Sequence, residues 1–89
     1  MRIRKASKTV FTPLADGTGV ILELETLLYY SVNRSGSALW QEIEKGEVVS
    51  LDALVESVCA RFEVNKETAA PSILSFLQRL LDIRLVELA

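Results

Sequence analysis

The chain carries few residues that could catalyse a reaction. It contains no histidine and only one cysteine, Cys59. A thiol becomes a nucleophile when a neighbouring base or cation stabilises the thiolate, and Arg61, the basic residue beside it, is expected to point elsewhere. We therefore interpret Cys59 as a structural thiol on the inner side of a helix. The same composition excludes, within this chain, a disulfide, a zinc site of the Cys/His type and a histidine base.

The acidic residues do not form a convincing catalytic pair. Glu23 with Glu25, and Glu42 with Glu44, are spaced as solvated faces. An acid/base pair needs an apolar pocket that raises the pKa of one carboxyl and leaves the other ionised. The Asp-Gly-Thr-Gly segment at residues 16–19 predicts a turn and not a phosphate-binding loop, because no helix with a lysine follows it. We therefore predict a protein that is not an enzyme and holds no cofactor or metal.

One globular domain accounts for the chain of 89 residues. Because 49% of them are hydrophobic, a single core can supply most of the stability. Four of the ten basic residues lie within residues 1–8, so we expect this segment to be a flexible basic arm. No segment approaches the roughly 20 apolar residues of a membrane span. We expect a cytoplasmic protein with no membrane partner.

The first third of the chain predicts a three-stranded antiparallel meander. Residues 9–12 form a first strand that Pro13 ends, and turn residues at 15–19 lead into a second strand. That strand, residues 20–25, places its valine and leucines on one side and its two glutamates on the other, as a half-buried strand does. The next reversal, at residues 26 and 27, lacks glycine and asparagine, which predicts a wide or strained turn.

The third predicted strand offers more apolar surface than a small core needs. Leu28, Tyr30 and Val32 share one face. Leu27 and Tyr29 make the other face largely apolar as well. A strand that is apolar on both faces indicates a partner that covers the surplus.

From Asn33 onward the hydrophobic period is that of helices, and three helices are predicted. Asn33 or Ser35 can cap the first, Ser50 the second and Asn65 the third. Residues 85–88 either add a strand or close the core. The predicted core residues are Trp40, Leu54, Val58, Phe62, Leu74 and Leu77.

The third helix is apolar on more than one side. One stripe is enough to dock a helix at the end of a small domain. The second stripe is either absorbed by a core that wraps around the helix or lines a groove beside the third strand. The two stripes, offset by about 100°, are Ala70, Leu74, Leu77 and Leu81 on one side, and Ala69, Ile73, Phe76 and Leu80 on the other.

Pro71 complicates this helix. Inside a helix a proline removes one backbone hydrogen bond and crowds a carbonyl, at a cost of about 3 kcal/mol. We therefore expect a break, in which the main helix either starts at Pro71 with Thr68 as its cap or is kinked at Pro71.

The order of these elements resembles the PqqD family over residues 17–86. The resemblance rests on a set of short motifs that recur in order along the chain. They are Val-Ile-Leu-Glu-Leu-Glu-Thr at 20–26, Tyr-Tyr at 29–30, Val-Asn at 32–33, Gly36, Leu-Trp at 39–40, Phe62 and Phe-Leu at 76–77.

The resemblance implies an α+β domain of the winged helix-turn-helix type, with a three-stranded antiparallel sheet followed by three helices. Such domains, also called RiPP recognition elements, bind the leader of a ribosomally made precursor peptide and present it to a modifying enzyme, often a radical SAM enzyme. In PqqD the precursor is that of pyrroloquinoline quinone. The leader adds as a strand to the third strand and lies beside the third helix. The peptide contacts that the resemblance implies here are Leu28, Tyr29, Tyr30, Ser31, Val32, Ser72, Ile73, Phe76 and Leu80.

Three positions depart from the family's pattern. The family commonly has glycine in the second hairpin, where this chain has Leu27, and before the final Leu-Val, where it has Arg84. Pro71 is also unusual within the third helix. These differences leave open whether the precursor belongs to pyrroloquinoline quinone synthesis or to another pathway, such as that of lasso peptides or sactipeptides.

Two other classes share these sequence features. A winged-helix DNA-binding protein has the same architecture, but its recognition helix should present several lysines or arginines, and here the exposed positions are mixed. A structural module could instead form a homodimer, because the free edge that accepts a leader can also pair with its own copy.

Overall fold

Six strands and three helices make up the described part of the chain. The computed structural model describes residues 1–6, 8–46 and 48–89. In chain order the elements are β1 (Arg2–Lys5), β2 (Thr9–Pro13), β3 (Gly19–Glu23), β4 (Tyr29–Val32), α1 (Arg34–Lys45), β5 (Val49–Ser50), α2 (Leu51–Phe62), α3 (Lys66–Asp82) and β6 (Val86–Leu88). The architecture is mixed α+β, as predicted. None of the described helices has the length and apolar content needed to cross a bilayer.

The predicted meander is the antiparallel sheet β2-β3-β4. Phe11 of β2 lies opposite Ile21 of β3, which lies opposite Tyr30 of β4. Strand β3 ends at Glu23, earlier than predicted. Gly19 is needed at the start of β3 because a Cβ there would lie 2.5 Å from the ring of Phe11. The aromatic ring therefore occupies the space that a side chain would fill.

The prediction of a flexible basic arm was wrong for Arg2–Lys5. This segment is β1, the middle strand of a second antiparallel sheet with the order β5-β1-β6. Ile3 is 1% exposed within the core, so one buried side chain and two backbone ladders anchor the segment. The basic residues remain at the surface, where Arg4 forms an ion pair with Glu87 at 3.1 Å. Ser7, also in the predicted arm, lies outside the described residues.

The predicted helix caps are present. The side chain of Asn33 accepts a hydrogen bond from the amide of Gly36 at 2.8 Å, which settles the first cap in favour of Asn33 over Ser35. Ser50 and Asn65 cap α2 and α3 through the amides of the residues three positions later. Each cap satisfies one backbone donor that the first helical turn leaves unpaired.

Helix α3 does not start at Pro71. It begins at Lys66, so the alternative with Thr68 as the cap was wrong. Pro71 lies inside the helix, where the carbonyl of Glu67 has no amide donor four residues later. This carbonyl belongs to the first turn, near the surface, where water can satisfy it at lower cost than in the helix interior.

The core is formed by one face of each helix and the inner faces of both sheets. Trp40, Leu54, Val58 and Leu77 are buried as predicted, whereas Phe62 and Leu74 are only partly buried. The buried face of α3 combines members of both predicted stripes, because the helix is packed against α2 on one side and β6 on another. Its fully buried residues are Ala69, Ile73, Leu77 and Leu80.

The turn between β3 and β4 spans residues 24–28 and is also strained, so both predicted features, width and strain, are present. Leu27 has a φ of 60°, a left-handed conformation that favours glycine. Arg84 has a φ of 63°. These are the two positions at which the family resemblance implied glycine. At both positions the backbone adopts a conformation that glycine adopts most easily.

Replacing Leu27 by glycine should stabilise the fold. The Leu27 side chain is 66% exposed, so its removal loses little packing, and the relief of left-handed strain should exceed the entropic cost of glycine by about 0.5–1 kcal/mol. Urea denaturation of both proteins measures the difference. Leu27→Ala is the matched control, because alanine keeps the Cβ and hence the strain. An equal gain in both variants would contradict the strain explanation.

Glu23 holds the same turn together with its carboxylate. Its Oε2 accepts hydrogen bonds from the hydroxyl and the amide of Thr26 at 2.6 and 2.7 Å, and its Oε1 accepts one from the amide of Glu25 at 3.0 Å. Only 5% of Glu23 is exposed, on the same face of β3 as the buried Ile21, whereas Leu24 is 43% exposed. The prediction that Glu23 lies on a solvated face, opposite the leucines that face the core, was therefore wrong. These hydrogen bonds, that of the Thr26 hydroxyl first, lower the pKa of Glu23 below its ordinary value of 4.5.

Stability should therefore depend on the charge of Glu23. Because the folded pKa is lowered, its contribution is present above the unfolded pKa and is lost as pH falls through the folded pKa. Glu23→Gln should have a lower urea midpoint than the wild-type chain at about pH 7, where the carboxylate is ionised. The difference between the midpoints should shrink as pH falls below 4.5. A difference that stays constant down to about pH 3 would contradict this assignment.

Candidate functional site

One edge of β4 has no strand beside it among the described residues. β4 pairs with β3 alone. The amide of Glu23 donates to the carbonyl of Leu28 at 2.9 Å, just before the two strands pair. Because an antiparallel ladder bonds every second residue, Tyr30 and Val32 direct their backbone groups toward β3.

The backbone groups at the open edge belong to Tyr29 and Ser31. Each has one N–H and one C=O directed away from β3, as the alternation of the ladder requires. Unpaired groups in such a row are a template for another extended chain. The edge can therefore accept a strand without disturbing the existing sheet.

A groove of about 460 Å³ lies between β4 and α3. On the β4 side, Tyr30 and Val32 face the core and are partly or fully buried. On the α3 side, Phe76 is partly buried and Ile83 is 40% exposed. The residues lining this groove are Tyr29, Tyr30, Ser31, Val32, Asn33, Phe76, Arg79, Leu80 and Ile83.

A larger groove of about 900 Å³ continues along the N-terminal half of α3, beside the start of α1 and the end of α2. Asn33, Phe76 and Arg79 line both grooves, so the two are continuous. Gly36 allows close packing at the junction. A Cβ at Gly36 would lie 3.2 Å from the Cβ of Val32 and 3.3 Å from the ring of Phe76.

Except for Leu28, the residues predicted to contact a peptide are divided between the two grooves. Leu28 lines neither groove and is 54% exposed in the turn before β4. Ser72 and Ile73 line the larger groove, which they share with Phe76. The predicted residues that line the groove beside β4 are Tyr29, Tyr30, Ser31, Val32, Phe76 and Leu80.

Ile73 and Leu80 are also core residues. Each is 3% exposed, so each can offer only a small area at the floor of its groove. Tyr29, by contrast, is 70% exposed, and because side chains alternate along a strand it lies on the opposite face of the sheet from Tyr30. The accessible surface of the site is therefore narrower than predicted.

Three residues of the groove beside β4 were missing from the predicted site. Arg79 and Ile83 follow Phe76 by three and seven positions, which places them on the same side of α3. This spacing was a usable signal. Asn33 was recognised only as a helix cap, and its place at the junction of the grooves depends on the packing of α1 against α3.

The linings favour binding of an extended chain. They combine aromatic and aliphatic side chains with hydroxyls, an amide and backbone groups at a sheet edge. Across the described residues, no group of three or more His, Cys, Asp or Glu side chains is arranged to hold a metal ion.

A family model described as coenzyme PQQ synthesis protein D (PqqD) matches residues 18–86. The chain belongs to the PqqD family. The match begins at the turn before β3 and ends within β6, so it includes β4, α3 and both grooves. In this PqqD-family chain β1 and β2 precede the matched region.

A solved structure is also similar to this PqqD-family chain. It is described as TbiB1 in complex with the TbiA(beta) leader peptide. The two chains are 26% identical, the alignment covers 94% of each, and the TM-score is 0.80. The winged helix-turn-helix-like fold that the family resemblance implied is thus supported over nearly the whole chain. No curated protein sequence matches this chain significantly.

Proposed function

We propose that this chain is a RiPP recognition element that binds the leader segment of a ribosomally made precursor peptide. The observation that carries the proposal is the open edge of β4 beside an apolar groove. Family membership supports it, and so does the leader peptide in the TbiB1 structure. The leader adds as a strand to β4, while its side chains occupy the groove along α3.

Backbone pairing alone would give weak binding. Tyr29 and Ser31 together offer two donors and two acceptors at the edge. At about 1 kcal/mol for each hydrogen bond they contribute about 4 kcal/mol, which does no more than offset the lost translational and rotational freedom of the peptide. Micromolar binding needs about 8 kcal/mol. Burial of leader side chains against Phe76 and Ile83 would supply the remainder. Sequence selectivity therefore resides in the groove.

The chain would act as a peptide chaperone and not as an enzyme. In this role it presents the bound leader to a modifying enzyme, a radical SAM enzyme or one of similar function, in pyrroloquinoline quinone synthesis or a related peptide pathway. Ribosomal synthesis of the precursor is consistent with a cytoplasmic site of action. A gene for such an enzyme and a short peptide reading frame beside this gene would identify the pathway.

The charge of α3 argues against DNA as the ligand. Its charged residues are Lys66, Glu67, Arg79 and Asp82, which sum to zero. A recognition helix that contacts phosphates needs an excess of cationic side chains. A protein ligand fits this helix better.

Calorimetric titration with leader peptides tests the proposal. The probes are the leader encoded beside this gene and the TbiA(beta) leader peptide as a heterologous ligand. We expect one peptide to bind per chain, with a negative heat-capacity change because apolar surface is buried. Absence of binding by a folded chain that dimerises through β4 would overturn the proposal in favour of a self-pairing module.

A further inference from the structure

Arg79 occupies the point where the two grooves meet. It is exposed, and it lines both the groove beside β4 and the larger groove. Its guanidinium forms no ion pair or hydrogen bond with any residue that the structure describes. The cation is therefore available to a ligand that passes from one groove into the other.

Neither groove offers a carboxylate among its described lining residues. Their charged members are Arg34 and Arg79, although the whole chain has 12 acidic and 10 basic residues. An arrangement of this kind creates a local positive potential in a chain with a net negative charge. Charge complementarity favours an anionic group on the ligand.

Arg34 is partly engaged within the protein. Its side chain lies against Gly17, since a Cβ there would be 3.1 Å from the Arg34 Nε. It also faces Asp16, whose pKa is lowered by hydrogen bonds from Thr18 and, to a smaller extent, by the charge of Arg34. No described carboxylate forms an ion pair with Arg79. Of the two arginines, Arg79 is the one left for a ligand.

The surroundings of Arg79 define what such a ligand must look like. The ring of Phe76 is one helical turn away and partly buried. Ser72 and Ser75 continue the same side of α3 into the larger groove and are exposed. Alternate side chains of an added strand face the same side. An acidic side chain two positions from an apolar one would therefore place its carboxylate at Arg79 and the apolar side chain against Phe76.

We propose that Arg79 is a specificity-determining residue that binds an aspartate or glutamate side chain of the leader, two positions from an apolar residue packed on Phe76. This inference rests on the proposed function. An arginine can hold a carboxylate through two parallel hydrogen bonds, which selects for position as well as charge. Because the site is exposed, the interaction should contribute about a twofold to fivefold gain in affinity.

Selection from a phage-displayed library of random linear peptides tests this preference. The selection does not require the sequence of the natural leader, because any peptide that binds in the groove is recovered. Selection on the wild-type chain should enrich peptides with Asp or Glu two positions from an apolar residue, and selection on Arg79→Gln should lose the acidic preference. Arg2→Gln is the matched control, because it changes the net charge equally but lies in β1, outside both grooves. The control should keep the acidic preference.

Titration of one selected peptide gives the quantitative test. Arg79→Gln should weaken binding of this peptide about twofold to fivefold at low salt. Replacing the acidic residue of the peptide by its amide should weaken binding to the wild-type chain by a similar factor and leave binding to Arg79→Gln unchanged. An acidic preference that persists in Arg79→Gln, or binding peptides with no such preference, would overturn this inference alone. Failure of the wild-type chain to select any peptide, while the TbiA(beta) leader and the leader encoded beside this gene also fail to bind, would overturn the proposed function.

Discussion

Leu77→Ala is expected to lower the free energy of unfolding by about 2–5 kcal/mol. Leu77 is fully buried at 0% exposure, near the middle of α3. Alanine there removes buried methyl and methylene groups and leaves a cavity that the packed core can only partly close. Since a small domain is stabilised by about 5–15 kcal/mol in total, the loss is a large fraction of its stability.

Urea denaturation followed by circular dichroism measures this change. Leu74→Ala is the matched control, because Leu74 lies on the same helix, was predicted to share the core with Leu77 and is only partly buried. Its cost should be clearly smaller. A change below about 0.5 kcal/mol for Leu77→Ala, or a larger cost for Leu74→Ala, would mean that the faces of α3 are assigned incorrectly.

Ser31→Pro is expected to weaken leader binding by at least about tenfold, which corresponds to 1.4 kcal/mol. Proline removes the amide that Ser31 directs to the open edge, and its ring occupies the space where an added strand would lie. The variant should still fold, because this amide takes no part in the β3–β4 ladder and an edge strand tolerates proline at such a position.

Ser31→Ala separates backbone from side-chain effects. Alanine keeps the amide and removes only the exposed hydroxyl, so its affinity for the leader should stay within about twofold of wild type. Calorimetry of the three proteins with one leader peptide makes the comparison, and the helical signal checks that each is folded. Equal affinities for Ser31→Pro and Ser31→Ala would exclude strand addition at this edge.

Local signals in the sequence were sufficient for the meander and the helix starts. Alternating side chains and turn residues lie within a few positions of one another, and each of Asn33, Ser50 and Asn65 bonds to an amide three residues later. The strain at Leu27 was also predictable, because the hairpin needs a left-handed residue whatever the amino acid.

The second sheet could not be predicted from such signals. It pairs Ile3 with Leu88, residues at opposite ends of the chain, and β5 has only two residues. Pairing over such a separation leaves no local hydrophobic period in the sequence. The basic composition of residues 1–8 therefore led to the wrong prediction of a flexible arm. The buried positions of β1 and β6 become apparent only when the two ends lie side by side.

The faces of α3 and the role of Arg79 depend on packing in the same way. The sequence of a helix with apolar residues on several sides does not reveal which side packs against the core. In the structure Ile73 and Leu80 are buried together with Leu77. Arg79 gains importance from its place beside β4 and α1. From the sequence alone it is one of several charges on a helix.

Hydrogen exchange at the individual amides of β4, followed by NMR, tests strand addition most directly. In the free chain the amides of Tyr29 and Ser31 should exchange quickly and those of Tyr30 and Val32 slowly, as the ladder with β3 requires. A saturating leader peptide should slow exchange at Tyr29 and Ser31 by at least about a hundredfold. If the leader binds while these two amides exchange as fast as in the free chain, the peptide does not add to β4.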